Sequence, residues 1–220
     1  MIVFRNVSKT YRLGGKSKIV ARDINATFPD GTCIALLGRN GAGKSSLLRM
    51  IAGTMRPDRG EIVSDGSISW PVGFAGSFHG DLTGAQNARF VGRIYGVDTD
   101  RLLAFVEDFA ELGQHFHLPF RTYSSGMRSR LAFGVSMGIR FKTYLIDEVT
   151  SVGDAGFRAK CDAVLAERLK ESNAIIVSHS MPSLRKLCNA AAVLEDGDLT
   201  YYEDLEAAIS RHMQNMGTKE

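Results

Sequence analysis

Short, unbroken apolar runs alternate along this chain with stretches of helical period. Thr32-Cys33-Ile34-Ala35-Leu36-Leu37 is one such run, of strand length. A glycine-rich stretch follows at once, and then Ser45-Ser46-Leu47-Leu48-Arg49-Met50-Ile51, which predicts a helix. Runs without polar alternation belong to strands buried on both faces. From about Gly84 to Phe141 the strand pattern gives way to helical period, as at Leu102, Phe105, Val106 and Phe109. Thr143-Tyr144-Leu145-Ile146 and Ala174-Ile175-Ile176-Val177 then return as buried strands, with a helix predicted near Phe157 to Lys170. This order predicts an α/β fold, a sheet core with a helical lobe inserted at about 84–141. Near the end, Leu205, Ala208, Ile209, His212, Met213 and Met216 share one face of a helix predicted at about 203–216. Such a helix docks on its own domain or a neighbouring subunit, or lies on a membrane surface. No repeat, low-complexity tract or linker interrupts the pattern, so residues 1–220 are expected to form a single domain.

Composition narrows the picture a little. With 220 residues, 44% hydrophobic and 23% charged, the chain can bury a substantial core. Its apolar runs fall far short of the roughly 20 residues a membrane span needs. The first residues, Met1-Ile2-Val3-Phe4-Arg5, lack the order of a secretory signal, so a cytoplasmic location is expected. A net charge of +3, spread through the chain, gives no reason to expect nucleic acid. Cys33, Cys161 and Cys188 are far apart in sequence without metal-ligand spacing, and read as small buried hydrophobes in a reducing compartment.

The chemistry begins at Gly38-Arg39-Asn40-Gly41-Ala42-Gly43-Lys44-Ser45, a full match to G-x-x-x-x-G-K-[ST] between a predicted strand and a predicted helix. Glycines let the backbone curl so that successive N–H groups face phosphate oxygens, and the helix adds its positive end. Lys44 carries a point charge for the β- and γ-phosphates, the Ser45 hydroxyl can ligate Mg²⁺, and Ser46 beside it joins the expected nucleotide contacts. The motif by itself suits kinases, GTPases and transport ATPases alike.

Tyr144-Leu145-Ile146-Asp147-Glu148 is a buried strand ending in two carboxylates. Alone it reads as a strand followed by a solvated acidic turn; with the phosphate loop upstream it reads as a metal-supporting Asp147 and a Glu148 that polarises the attacking water. His179, in Ser178-His179-Ser180, follows the next predicted strand and so falls on the same sheet edge, within reach of a γ-phosphate or water.

Between these motifs, Tyr123-Ser124-Ser125-Gly126-Met127-Arg128-Ser129-Arg130 is a serine- and glycine-bearing turn opening a helix, a site for an anion or merely a serine cap. In this order the whole set resembles the ATP-binding cassette family, whose signature motif commonly reads L-S-G-G-Q. The resemblance implies a P-loop NTPase fold with a RecA-like sheet core, the inserted helical subdomain and an N-terminal antiparallel β region. It also implies ATP and Mg²⁺ as ligands. Tyr123, Ser125 and Met127 depart from the signature, whereas Ser124 and Gly126 keep the hydroxyl and the small turn residue expected at the γ-phosphate. Tyr11 resembles the aromatic residue that stacks on adenine, and Ser151-Val152-Gly153-Asp154 the loop that crosses the dimer interface. The glutamine usual in the loop before the helical lobe is missing from Trp70-Pro71-Val72-Gly73-Phe74-Ala75-Gly76-Ser77-Phe78.

In that family the phosphate loop of one subunit and the signature of the other enclose each ATP, so with one copy of each motif the resemblance implies a homodimer with two composite sites. Ser124-Ser125-Gly126-Met127 with Arg130, Glu148 to Asp154, and Leu82-Thr83-Gly84 with Asn87 resemble the branch that exports bacterial surface polysaccharides, and Trp70 to Gly73 its capsular members. Some O-antigen exporters of that branch carry an added carbohydrate-binding domain, for which no room is expected here. The resemblance therefore implies an ATP-hydrolysing subunit, peripheral on the cytoplasmic face of the inner membrane. Its partners would be a second copy and a separate membrane permease, with the polysaccharide met indirectly. An O-antigen or teichoic acid exporter, or a soluble cassette ATPase, are the other readings.

Overall fold

The computed structural model of the chain describes residues 1–73, 76, 78–147 and 154–217. They fall into two compact units. The first contains Met1–Pro71, Phe141 onward through the acidic strand, and the chain from Glu171. It opens with a long hairpin, β1 (Ile2–Leu13) and β2 (Lys16–Phe28), closed by Gly14 and Gly15. Both glycines have positive φ, 55° and 78°, as a tight primed turn requires. β4 (Arg59–Ser64) pairs with the other edge of β1, giving an antiparallel sheet of order β2-β1-β4.

The second sheet carries the predicted buried strands. Its order is β5 (Ile68–Pro71), β6 (Thr143–Asp147), β7 (Asn173–Val177), β3 (Cys33–Leu37), β8 (Ala190–Glu195) and β9 (Asp198–Tyr202). All neighbours are parallel except β8 and β9. β7 is buried throughout, and β3 and β6 at four of five positions, as strands covered on both faces should be. Helix α1 (Lys44–Ile51) fills the space between the sheets. Its Leu47, Leu48, Met50 and Ile51 share one core with Phe4, Ile24 and Phe28 of the hairpin and Ile34, Leu36, Leu145 and Ile175 of the parallel sheet.

Helix α7 (Leu205–Gly217) packs on β3, β8 and β9 of its own unit. Its buried face is narrower than the sequence pattern suggests. Leu205, Ala208, Ile209 and His212 are buried, but Met213 and Met216 are 57% and 50% exposed. The six-position pattern therefore overestimates the buried face by two residues. The cysteines hold a second surprise. Cys33 and Cys188, distant in sequence, bring their Sγ atoms to 3.6 Å, because β3 and the residue leading into β8 are sheet neighbours.

The second unit is helical and comprises Val72–Arg140 with 149–170. It holds α2 (Gly84–Ile94), α3 (Thr99–Ala110), α4 (Ser125–Gly138) and α5 (Ala155–Leu169), with 3-10 turns at Gly113–His117 and Phe120–Thr122. Phe109 is its hub, with Phe105, Phe133 and Phe157 ring centroids at 5.6, 5.7 and 5.3 Å. Each helix start has a side-chain cap, and Thr83 with Gln86 forms a reciprocal capping box at α2. Buried Asn87 accepts from the His79 N–H and donates to the carbonyls of His79, Leu82 and Thr83, holding the approach to α2.

Candidate functional site

At the C-terminal end of β3 the chain turns through Gly38 to Gly43 into α1. Three glycines are required here for separate reasons. Gly38 has φ +155° and passes so close to β8 that a Cβ would stand 2.5 Å from the Leu194 carbonyl oxygen. Gly41 has φ +79°, and Gly43 has φ +113° with a Cβ position 2.8 Å from Val20. Helix α1 starts at Gly43 with no side-chain cap and no acid in its first turn, so its positive end opens into the loop. Lys44 Nζ donates to the Gly38 carbonyl at 2.7 Å and the Arg39 carbonyl at 3.1 Å, which keeps its charge over the curled backbone.

A cleft of about 320 Å³ lies over this loop. Of the residues singled out from sequence, Tyr11, Asn40, Gly41, Gly43, Lys44, Ser45, Ser46, Asp147 and His179 line it. Ser45 Oγ donates to Asp147 Oδ2 at 3.4 Å. Tyr11 stands at the rim, its hydroxyl 3.2 Å from both Ser46 Oγ and Met55 Sδ, which fixes the ring's position. Asp147 pairs with Val177 across β6 and β7, so the chain leaving β7 carries His179 to the same edge. Gly38 forms the back of the loop. Arg39 and Ala42 face a second cleft on its other side, bounded by Arg22, Glu195 and Asp196. Glu148 and Ser151-Val152-Gly153 lie outside the described residues, as do Phe74, Ala75 and Ser77 of the loop without a glutamine.

Three lining residues escape the motif reading: Lys18, Val20 and Val177. For Lys18 a signal exists in the sequence. Gly14-Gly15 sets a hairpin register in which Tyr11 and Lys18 are directly opposite, so an aromatic at one position places its partner on the same face.

In the helical unit, Ser124 caps α4, its Oγ accepting from the Met127 N–H at 3.2 Å. That hydroxyl proton can still be donated. At Gly126, in the first turn, an added methyl group would meet nothing nearer than Ser124 Oγ at 4.0 Å, so the helix start is sterically open. Arg130 donates to Asp154 Oδ2 at 2.7 Å and lies 4.2 Å over the Phe157 ring. The Phe157 N–H, and secondarily the Arg130 charge, hold the Asp154 carboxyl below the usual carboxylate range. Asp154 thus caps α5 and anchors α4 at once.

The oxygen donors in the cleft fit a hard divalent cation, since a hydroxyl and a carboxylate are the ligands Mg²⁺ takes beside phosphate oxygens. Among the described residues no three of His, Cys, Asp and Glu gather into a metal cage of their own. A cation here would therefore take further ligands from the nucleotide and water.

The family model described as "ABC transporter" matches residues 21–151. The chain is 48% identical over 215 residues to the polysialic acid transport ATP-binding protein KpsT of Escherichia coli, covering 96% of each. It is 47% identical over 208 residues to the capsule polysaccharide export ATP-binding protein CtrD of Neisseria meningitidis serogroup B, covering 94% of this chain and 96% of that one. Among solved structures, the ATP-binding cassette MJ0796, a dimer bound to ADP and Pi, superposes with a TM-score of 0.76 at 20% identity, over 93% of this chain and 99% of that one.

Proposed function

Because the chain belongs to the ABC transporter family, we propose that it is the ATP-hydrolysing subunit that drives export of a capsular polysaccharide across the bacterial inner membrane. The observation that carries this is the near-full-length similarity, at 47–48% identity, to relatives named for polysialic acid transport and capsule polysaccharide export.

In this reading the loop from Gly38 to Gly43 and the α1 N-terminus cradle the phosphates, and Lys44 offsets their charge. Tyr11 offers its face to adenine at the rim. Mg²⁺, when bound, neutralises charge building on the β- and γ-phosphate oxygens. Ser45 and Asp147 would hold it. Glu148 follows Asp147 directly and acts as the base that orients a water in line with the γ-phosphate. His179 fixes that phosphate from the β7 side. Ser124 and Gly126 of a second copy supply a hydroxyl and open N–H groups to the same phosphate, so the homodimer is the active form.

No helix among the described residues is long and apolar enough to cross a membrane. In this reading the polysaccharide crosses through a separate permease. Phe90 and Ile94 on α2, 53% and 62% exposed, offer the helical unit's apolar docking face for it. Closing of the dimer on ATP and opening after hydrolysis would then move the permease through this unit.

The test is export itself. In a capsulated host lacking its own copy of this subunit, the wild-type chain with its permease should restore surface capsule, and Glu148→Gln should not, although that variant still binds ATP. Capsule restored equally by Glu148→Gln would remove the catalytic assignment, and no restoration by the wild-type chain would remove the polysaccharide.

A further inference from the structure

The phosphate loop is held from behind by parts of the chain that lie far from it in sequence. Leu194 of β8 presses its carbonyl against Gly38, and Val20 of β2 stands against Gly43. These two supports are tied together, since the Arg22 N–H donates to the Gly197 carbonyl at 2.8 Å and Arg22 Nη2 to the Asp196 carbonyl at 3.3 Å. The β8–β9 turn is therefore a fixed back wall for the loop.

The last turn of α7 reaches this wall. Asn215 Nδ2 donates to Glu195 Oε2, on the residue directly after Leu194. One turn earlier His212 is buried. α7 thus touches the strand that shapes Gly38, and no step of the hydrolysis uses it.

We propose that α7 is a brace for the phosphate loop, in which Asn215 is a positioning residue that sets ATP affinity through Glu195 and the β8–β9 turn. This rests on reading the cleft as the ATP site. With the brace intact, Leu194 stays against Gly38 and the loop N–H groups keep one curvature. With it loosened, the loop samples other shapes and binds phosphate less tightly, while a molecule that has bound ATP reacts as before.

The experiment uses the full chain. Binding of a fluorescent ATP analogue, steady-state ATP hydrolysis and thermal melting are measured for wild type, Asn215→Ala, the isosteric Asn215→Asp, and the swapped pair Glu195→Asn with Asn215→Glu. Losing one hydrogen bond to a carboxylate should raise the Kd and KM for ATP roughly three- to tenfold. kcat at saturating ATP should stay within about twofold. Asn215→Asp, which keeps the volume but sets two carboxylates together, should exceed Asn215→Ala, and the swapped pair should return close to wild type. Unchanged Kd and KM in both single variants, with only a lowered melting temperature, would overturn the brace, as would a swap that restores nothing. Failure of the wild-type chain itself to bind the analogue would instead overturn the ATP-site reading beneath it.

Discussion

Replacing Gly38 by alanine sets a methyl group against the carbonyl oxygen of Leu194, 2.5 Å away where about 3.3 Å is comfortable. Leu194 cannot retreat, because it is paired with Leu199 inside the sheet. The loop must move instead. At φ +155° the alanine also occupies backbone space that costs on the order of 1–3 kcal/mol for a residue with a Cβ. Relieving the overlap adds about 1–3 kcal/mol, so the cradle shape is disfavoured by roughly 2–6 kcal/mol. If the loop relaxes rather than the fold, ATP affinity falls about thirtyfold or more, at about 1.4 kcal/mol per decade. Titration with a fluorescent ATP analogue, beside a thermal melt, reads both outcomes. The control is Gly53→Ala, whose φ of +72° is also positive, with a milder backbone cost, but whose Cβ meets nothing within 4 Å. It should lower stability by about 1 kcal/mol and leave ATP binding alone. A Gly38→Ala chain with wild-type affinity and melting temperature would refute the reasoning.

Other perturbations test other parts. Burial, and then the Lys44 charge, hold His212 below its ordinary value of 6.5, with Glu195 opposing. The unfolded chain therefore takes up this proton first, so the His212 contribution is complete above pH 6.5 and is lost as pH falls below it. Melting temperature should drop more steeply toward pH 5.5 in wild type than in His212→Gln, and parallel curves would dismiss the effect. Burial pushes the Cys161 thiol up to about 12, and contact with Cys33, together with burial, pushes Cys188 up as well. Iodoacetamide near neutral pH should label Cys161 about a thousandfold more slowly in the folded chain than after denaturation, and prompt labelling would contradict its burial. Phe109→Ala empties the aromatic hub of the helical unit and should cost about 3–5 kcal/mol in urea unfolding; a loss under about 1 kcal/mol would mean the rings do not pack as described.

What can be read from the sequence is local or set by chain order. The unbroken run at Cys33 to Leu37, the glycine spacing after it and the helix pattern from Ser45 state strand, cradle and helix without tertiary information, and the α/β class follows. His179 is legible because the next parallel strand repeats the same edge. What escapes depends on which strands become neighbours. Lys18 enters the cleft through hairpin register, Cys33 meets Cys188 because β3 lies beside β8, and α7 leaves Met213 and Met216 exposed although they share its apolar pattern. A one-dimensional pattern carries periodicity but not adjacency.

The position of β3 in its sheet also has a consequence during synthesis. This strand is made early, yet the nearer of its neighbours in sequence, β7, comes roughly 140 residues later, and β8 later still. At about 5–20 residues per second, some 7–28 s pass on the ribosome with Ile34 to Leu37 unpaired on both edges. An apolar strand in that condition invites pairing with another nascent chain. The half of the cleft that is translated first must therefore wait, shielded by a chaperone or by α1 and the hairpin folding over it, for the half that is translated last.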